Sequence, residues 1–356
     1  MTARVDVLLV SLGTTHGLRV ADGSFAALLE RAGATVGVVA TRVGPLQAVR
    51  RAGARAYPVV DLVEAAAARR AFRTAVAGTR PRAVVFSTTT AALLAPTGEL
   101  PYAVRLDAPA ALNRPGARNA VAHALERRRL AGARLVLPWS RACADALPAG
   151  AAPAVVVPPP LEPSGPPNRR RRRLAVAYAP GPREKGLDLL CAAWAAADVK
   201  RARLAVYGID AARARSYLAR HDLPEPSGIE WRGLVAPAEF RAALREARAF
   251  ISTSAWEDYG QVQLEALADG ALLVCAPAGG TFEALPLARA LDPALVPADR
   301  TPEALAESVR HAFGMRLEEL GAYRDAAAKQ LAPYTPEAVA ETVSQQVLPA
   351  LLGRSG

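Results

Sequence analysis

Ala247-Arg-Ala-Phe-Ile-Ser-Thr-Ser254 runs directly into Ala255-Trp-Glu257-Asp-Tyr-Gly260-Gln-Val-Gln-Leu-Glu265-Ala-Leu-Ala-Asp-Gly270. The first run is apolar and ends in small hydroxyl residues, which reads as a buried strand. Past Gly260, the residues Val262, Leu264, Leu267 and Ala268 recur at helical spacing, and Gly270 suits the position just beyond a helix C-terminus. The stretch therefore predicts strand, loop and helix, with Glu257 on the loop and Glu265 on the helix. A carboxylate can accept hydrogen bonds from two neighbouring hydroxyls of a polyol. The free N–H groups of Tyr259 to Gln261 at the helix start favour an anion such as phosphate. Glutamates at this spacing are also common on solvated loops and helices, so the spacing alone does not choose a ligand.

The same strand–helix alternation extends in both directions. Strand candidates are Val5–Ser11, Ala34–Ala40, Ala83–Phe86, Tyr102–Leu106, Arg134–Leu137 and Ala154–Val157. Amphipathic helices are expected over Phe25–Arg31, Leu62–Val76 and Ala117–Arg129. A second series starts at Leu174 and continues through Arg203–Tyr207, Ile229–Trp231, Phe250–Thr253, Leu272–Cys275 and Leu295–Val296. Three helix-like stretches follow, around Pro302–Phe313, Leu317–Leu331 and Pro336–Leu352. Such alternation implies α/β architecture with parallel sheets covered on both faces. Between the two series lies a Pro-rich break, Pro158 to Pro167, followed by arginines at 169–173. The expected organisation is an N-terminal doubly wound domain at 1–157, a linker at 158–171 and a second doubly wound domain at 172–335. In open sheets of this kind, ligands bind beyond the carboxyl ends of the strands.

Composition sets bounds. At 356 residues the chain exceeds one comfortable core. No apolar stretch approaches the ~18 residues that span a bilayer, and Val5–Val10 carries an acid and reads as a first strand, not a signal peptide. Cys143, Cys191 and Cys275 are scattered, odd in number and without metal spacing, which suits reduced core thiols in a cytoplasmic protein. The net charge of +11 welcomes anions, whether a nucleotide sugar, an anionic membrane face or nucleic acid. Nucleic-acid recognition normally adds aromatic stacking platforms, and with 5% aromatic residues it is disfavoured.

Of the 44 basic side chains only Lys185, Lys200 and Lys329 are lysine. A lysine that persists under such arginine bias suggests a place for a compact ammonium that a guanidinium fork does not fit. Lys185 lies in Gly181-Pro-Arg-Glu-Lys-Gly-Leu-Asp188, at the turn from an apolar strand into a helix, where basic groups can clamp a diphosphate. Retention by chance is the competing reading.

Together, Ser254, Glu257, Tyr259-Gly260, Glu265-Ala266-Leu267-Ala268, Gly270, Gly279-Gly280 and Glu283 closely resemble the donor-site signature of retaining GT-B glycosyltransferases of family 4. The resemblance is specific over 172–315 and loose over 1–150. It implies a GT-B fold, two Rossmann-like domains facing an interdomain cleft, with a C-terminal helix at 336–356 crossing back to the first domain. By the same resemblance Glu257 contacts the donor sugar, Glu265 the ribose hydroxyls, and Lys185 the diphosphate. The family's arginine five residues before that lysine is here Pro180, and Arg183 is the nearest substitute. Gly260, Gln261 and Tyr259 at the helix start, with Gly280, Thr281 and, from the loop after the first strand, Gly13, complete the donor-binding set that the resemblance implies.

The loop Ser11-Leu-Gly-Thr-Thr-His-Gly-Leu-Arg19, which the resemblance turns toward both donor phosphates and acceptor, makes Thr14 and His16 acceptor-side candidates beside Gly13, although a plain surface turn fits His16 as well. The family's histidine after the strand at Tyr102 is here Leu106, leaving Asp107 as the substitute; a helix-capping aspartate is the plainer reading. The implied activity is transfer of a hexose from a nucleotide-diphosphate sugar, as co-substrate, to a small-molecule, glycan or lipid-linked acceptor. No metal or resident cofactor is implied, and peripheral contact at the inner membrane face stays open. The rival readings are a sugar-nucleotide epimerase of the same fold and a non-catalytic binding protein.

Overall fold

The computed structural model describes residues 4–14, 16–42, 57–166 and 173–353. Most of the arginine run and part of the expected linker lie outside the described residues. The chain divides into unit 1, residues 1–160 with 334–356, and unit 2, residues 161–333.

Unit 1 alternates β1 (Val7–Ser11), α1 (His16–Arg31), β2 (Val36–Ala40), α2 (Tyr57–Thr79), β3 (Ala83–Phe86), α3 (Thr89–Ala92), β4 (Tyr102–Leu106), α4 (Ala110–Asn113), α5 (Ala120–Ala131), β5 (Leu135–Pro138) and α6 (Arg141–Asp145). Its five strands are all parallel, in the order β2-β1-β3-β4-β5. β1, β3, β4 and β5 are buried at every position, as a sheet covered on both faces requires. Odd-numbered Val7 and Leu9 join Phe25, Leu29, Val85 and Leu137 in one core; Leu8 and Val10 join Phe72, Phe86 and Val104 in another. The first of these cores also takes Val339, Val343, Val347 and Leu351 from the C-terminal segment, so that segment belongs to unit 1. The segment is helical from Pro336, with a π-turn at Val343–Val347. Pro349 follows two residues after Val347; it has no N–H for the helical ladder, which accounts for the wider turn before it.

Unit 2 contains β6 (Leu174–Tyr178), α7 (Leu187–Ala197), β7 (Arg203–Tyr207), α8 (Ala211–Arg220), β8 (Ile229–Gly233), α9 (Pro237–Glu246), β9 (Ala249–Ser252), α10 (Gln261–Ala268), β10 (Leu272–Cys275), α11 (Ala284–Leu291), α12 (Pro302–Gly314) and α13 (Leu317–Leu331). Its strands are again parallel, ordered β10-β9-β6-β7-β8. Strand order reverses between β1 and β3 in unit 1 and between β6 and β9 in unit 2. At such switch points the loops leave to opposite faces and open a crevice at the carboxyl ends.

Two expected strands are absent. Ala154–Val157 runs beside β5, with Val155 N–H donating to Val136 O at 3.0 Å and Val157 N–H to Pro138 O at 2.9 Å, but forms only a bridge at Ala154. Pro153 and Pro158 flank it and supply no donors, so the ladder cannot lengthen. Leu295–Val296 is no strand either: Pro293–Leu295 is a 3₁₀ turn capped by Asp292, and it buries Leu295 by turning instead of pairing. All three cysteines are free and buried, and burial pushes the Cys191 and Cys275 thiols up to about 12. Among the described residues no helix is long and apolar enough to cross a membrane, and no group of three or more His, Cys, Asp or Glu could hold a metal ion.

Candidate functional site

β6 ends at Tyr178, and the chain then tightens into a helical turn. Lys185 N–H donates to Gly181 O at 2.9 Å and Leu187 N–H to Pro182 O at 2.8 Å. Gly186 closes the turn at φ +63°, and a Cβ there would lie 2.3 Å from the carbonyl oxygen of Thr253. Only glycine lets this turn press against the end of β9. Thr253 Oγ1 then donates to Lys185 O at 2.8 Å, so the two loops at the switch point are stitched together.

The stitching brings Lys185 to Glu257, seventy-two residues on, with Nζ 2.6 Å from Oε1. The same oxygen accepts from Ser254 Oγ at 2.7 Å and from Gln263 Nε2 at 3.1 Å, and Gln263 also donates to Ser252 Oγ at 2.9 Å. Three donors on Oε1 fix the carboxylate in one orientation. The backbone of Glu257 is held as well. Its N–H donates to Gly279 O at 3.1 Å, and Gly280, at φ +97°, brings its Cα so close that a Cβ would fall 2.1 Å from Glu257 O. Thr281 Oγ1 donates to Asp258 O, which joins the Gly280–Thr281 loop to the glutamate loop.

α10 begins at Gly260, φ +87°, where a Cβ would strike the Phe282 ring at 2.3 Å. Glu265 sits one turn in, accepting from Gln261 Nε2 at 3.2 Å, with Arg241 Nη1 at 4.0 Å. Burial raises the Glu265 carboxyl above its ordinary range; Arg241 and Gln261 oppose that, and Asp269 reinforces it. Tyr178 shares this environment, its phenol raised first by burial and then by the charge of Glu265.

Lys185, Glu257, Gly280 and Thr281 thus form one connected group, and Gln261 and Glu265 another on the following helix. Tyr259 is 4% exposed, so its side chain is core; its carbonyl accepts from Glu283 N–H at 3.0 Å. Arg183 is exposed and lies within the electrostatic reach of Tyr217 on α8.

In unit 1, Gly13 turns the chain at φ +57° after β1, and Arg19 Nη1 donates to its carbonyl at 2.9 Å. Thr14 follows on this loop, half-buried, and His16 opens α1, its side chain outside the described part. Asp107 Oδ1 accepts from Ala108 N–H at 2.9 Å, while α4 starts at Ala110 without a side-chain cap. Asp107 therefore braces the turn ahead of α4 and does not cap it. Leu106 is in the core.

Several contributors escaped the sequence reading. Gln263 is a buried amide on an otherwise apolar stripe, and Arg241 and Arg300 reach the site from other elements. Arg105, in the middle of an apolar strand, is fully buried, with Nη1 3.4 Å from Asp22 Oδ1. An arginine inside a strand-like run was the one available signal. Its partner, eighty-three residues away, was not deducible.

Residues 171–314, most of unit 2, match the family described as Glycosyl transferases group 1. No curated protein sequence matches the chain. Among solved structures, sucrose-phosphate synthase from Thermosynechococcus elongatus aligns with a TM-score of 0.75 at 14% identity, covering 99% of this chain and 100% of that one. HepE from Anabaena, in complex with UDP and glucose, gives 0.65 at 16%, with coverage of 97% and 99%. The α,α-trehalose 6-phosphate synthase of Burkholderia multivorans gives 0.68 at 14%, with 99% and 98%. At such identity the likeness is one of fold, and the fold is GT-B.

Proposed function

We propose that this protein is a retaining glycosyltransferase of family 4 that moves a hexose from a nucleotide-diphosphate donor to an acceptor hydroxyl. The observation that carries the reading is the Lys185–Glu257 pair at the β6/β9 switch point, inside the stretch that matches the glycosyl transferases group 1 family. Lys185, with Nζ anchored on Glu257, presents a compact cation to the diphosphate. The N–H groups at the start of α10 add donors of the same sign. Glu257, its Oε1 saturated by three protein donors, orients the sugar as a hydrogen-bond acceptor through Oε2 and does not attack it. Glu265 accepts the ribose hydroxyls, and the Gly280–Thr281 backbone borders the nucleotide.

In the reaction the bond between the anomeric carbon and the phosphate oxygen breaks, and its electron pair leaves with the diphosphate. The acceptor oxygen bonds to the same face of that carbon, and its proton passes to the departing phosphate. What the protein supplies is electrostatic stabilisation of the leaving group, worth about 10²–10³ in rate for a single well-placed donor. The reading needs no metal or resident cofactor, the nucleotide sugar being a co-substrate. Relatives of the same fold named for sucrose-phosphate and trehalose-phosphate synthesis, and one bound to UDP-glucose, make UDP-glucose the first donor to try.

The test is to incubate the protein with UDP-, GDP-, ADP- and dTDP-sugars and candidate acceptors, following diphosphate release and the anomeric proton of the first product by NMR. Release with the donor's anomeric configuration is expected. An epimerised nucleotide sugar without transfer, or an inverted product, contradicts the reading.

A further inference from the structure

Beyond the last ladder bond of unit 2, β9 and β10 part and meet again. Ala276 N–H donates to Ser252 O at 2.9 Å; further on, Gly279 N–H donates to Ala255 O at 3.0 Å and Glu257 N–H to Gly279 O at 3.1 Å. Between these pairings the carbonyls of Thr253, Ser254 and Pro277 have left the ladder. Backbone carbonyls this deep need partners. One side chain supplies them: Arg300 Nη1 donates to Ser254 O and to Pro277 O, both at 2.7 Å, and Nη2 donates to Thr253 O at 2.8 Å. The guanidinium sits in the gap as a wedge with a donor for each side.

Its own backbone is fixed by the turn that opens α12. Asp299 Oδ1 accepts from Thr301 N–H at 3.0 Å and from Thr301 Oγ1 at 2.7 Å, and Thr301 Oγ1 caps the helix at Ala304 N–H. All three groups held by Arg300 lead to the site. Ser254 carries the hydroxyl that donates to Glu257, Thr253 carries the hydroxyl that donates to Lys185 O, and Pro277 begins the loop whose Gly279 accepts from Glu257 N–H.

We propose that Arg300 is a positioning residue that holds the Thr253–Glu257 and Pro277–Thr281 loops in register and so keeps the Lys185–Glu257 pair in place. Its hydrogen bonds go to Thr253, Ser254 and Pro277 and not to Glu265 or the start of α10, so it bears on the nucleotide only through the loops it holds. A planar fork with several fixed donors does this; the single ammonium of a lysine cannot serve three divergent carbonyls. The catalytic part of this inference rests on the donor-site reading above, whereas the structural part does not.

The experiment compares the full chain with Arg300→Met and Arg300→Lys. Hydrogen exchange at the amides of Glu257 and Gly279, which exist only where the loops re-pair, is expected to accelerate about tenfold or more in the Met variant, the loss expected for hydrogen bonds to a charged group. Amides of β6 and β7 keep their protection, and the Lys variant falls between. With UDP-glucose as donor, kcat falls about tenfold to a hundredfold, as for a misplaced reacting group, while the affinity for UDP falls by less, because Glu265 and the start of α10 stay in place. Unchanged exchange at Glu257 and Gly279 overturns the proposal, and so does an equal loss of kcat and UDP affinity. A wild type that ignores both UDP and UDP-glucose counts against the donor reading alone, and the exchange result then decides the role of Arg300 by itself.

Discussion

Each unit places an ion pair at the carboxyl side of its parallel sheet, and the two pairs are built to opposite specifications. In unit 1, Ser11, Ser87 and Arg105 follow the last apolar pairs Val10–Phe86 and Phe86–Val104, with Trp139 two residues beyond Leu137, the partner of Arg105 on β5. Arg105 and Asp22 are 0% and 2% exposed. The guanidinium lies 4.1 Å from the Phe25 ring centroid and 5.3 Å from that of Trp139. Ser11 Oγ donates to Asp22, and Leu12 N–H donates to Ser87 Oγ at 2.9 Å. Burial raises the Asp22 carboxyl, opposed in turn by Ser11, Arg105 and Ser87. In unit 2, the side chains of Lys185 and Glu257 remain 27% and 11% exposed. A sealed pair serves the architecture around it, because no ligand reaches it. A half-open pair, with one carboxylate oxygen fully bonded and a cation at the rim, is available to substrate.

If that contrast holds, variants in unit 1 lose stability and variants in unit 2 lose turnover. The largest effect is expected for Arg105→Met, which strands the Asp22 carboxylate in an apolar setting and lowers unfolding stability by about 3–5 kcal/mol. The double variant Arg105→Met, Asp22→Asn recovers part of this, since no uncompensated charge remains; chemical denaturation of all three proteins checks it. A recovery of nothing would show that stacking on Phe25 and Trp139, not the charge, is what unit 1 needs.

Lys185→Ala comes next. Turnover is expected to fall about 10²–10³-fold with the fold intact, the cost of one leaving-group contact. Lys185→Arg is also impaired, although charge is retained, because the wider fork does not occupy the same turn. Steady-state kinetics beside a thermal melt separates the two units' behaviours, and wild-type rates in the Arg variant would erase the contrast.

A smaller effect sharpens the comparison from within unit 1. Glu126 accepts Ala110 N–H through both oxygens, at 3.1 and 2.8 Å, and burial pushes its carboxyl up to about 7. Its folded-state pKa is raised, so the native protein holds the proton where the unfolded chain, with a glutamate near 4.5, has released it. The stabilisation is therefore present below about 4.5 and lost as pH rises through about 7, with a slope of at most about 1.4 kcal/mol per pH unit from this group. Glu126→Gln should flatten that part of the stability profile. A profile identical to wild type between pH 5 and 8 would remove Glu126 from the account.

The comparison also explains what the sequence could and could not say. The unit 2 site was legible because close backbone approaches impose residue types locally. Gly186, Gly260 and Gly280 are required by positive φ and by a neighbour within 2.3 Å of where a Cβ would stand, and Glu257 and Glu265 stand at fixed offsets from them. β3, β4, β7 and β10 were legible to the residue, since short apolar runs bounded by polar or proline residues leave little choice of limits. What could not be read is pairing at a distance. Gln263 and Arg300 look like ordinary helix and loop residues, and their importance arises only when β9 and β10 lie side by side. Arg105 and Asp22 each look like an interruption of an apolar pattern until the sheet brings them together. Ala154–Val157 was misread because its composition is that of a strand, and the prolines at its ends decide otherwise.

The central claim is that the carboxyl edge of unit 2 holds the nucleotide of a sugar donor, with Glu265 on the ribose. Isothermal titration of UDP, GDP, ADP and dTDP into wild type and Glu265→Ala, at one fixed salt concentration, addresses it directly. The account predicts that at least one diphosphate binds the wild type and that its affinity drops about ten- to a hundredfold in the folded variant, the loss of hydrogen bonds to a charged acceptor. Equal affinity in both proteins would contradict it.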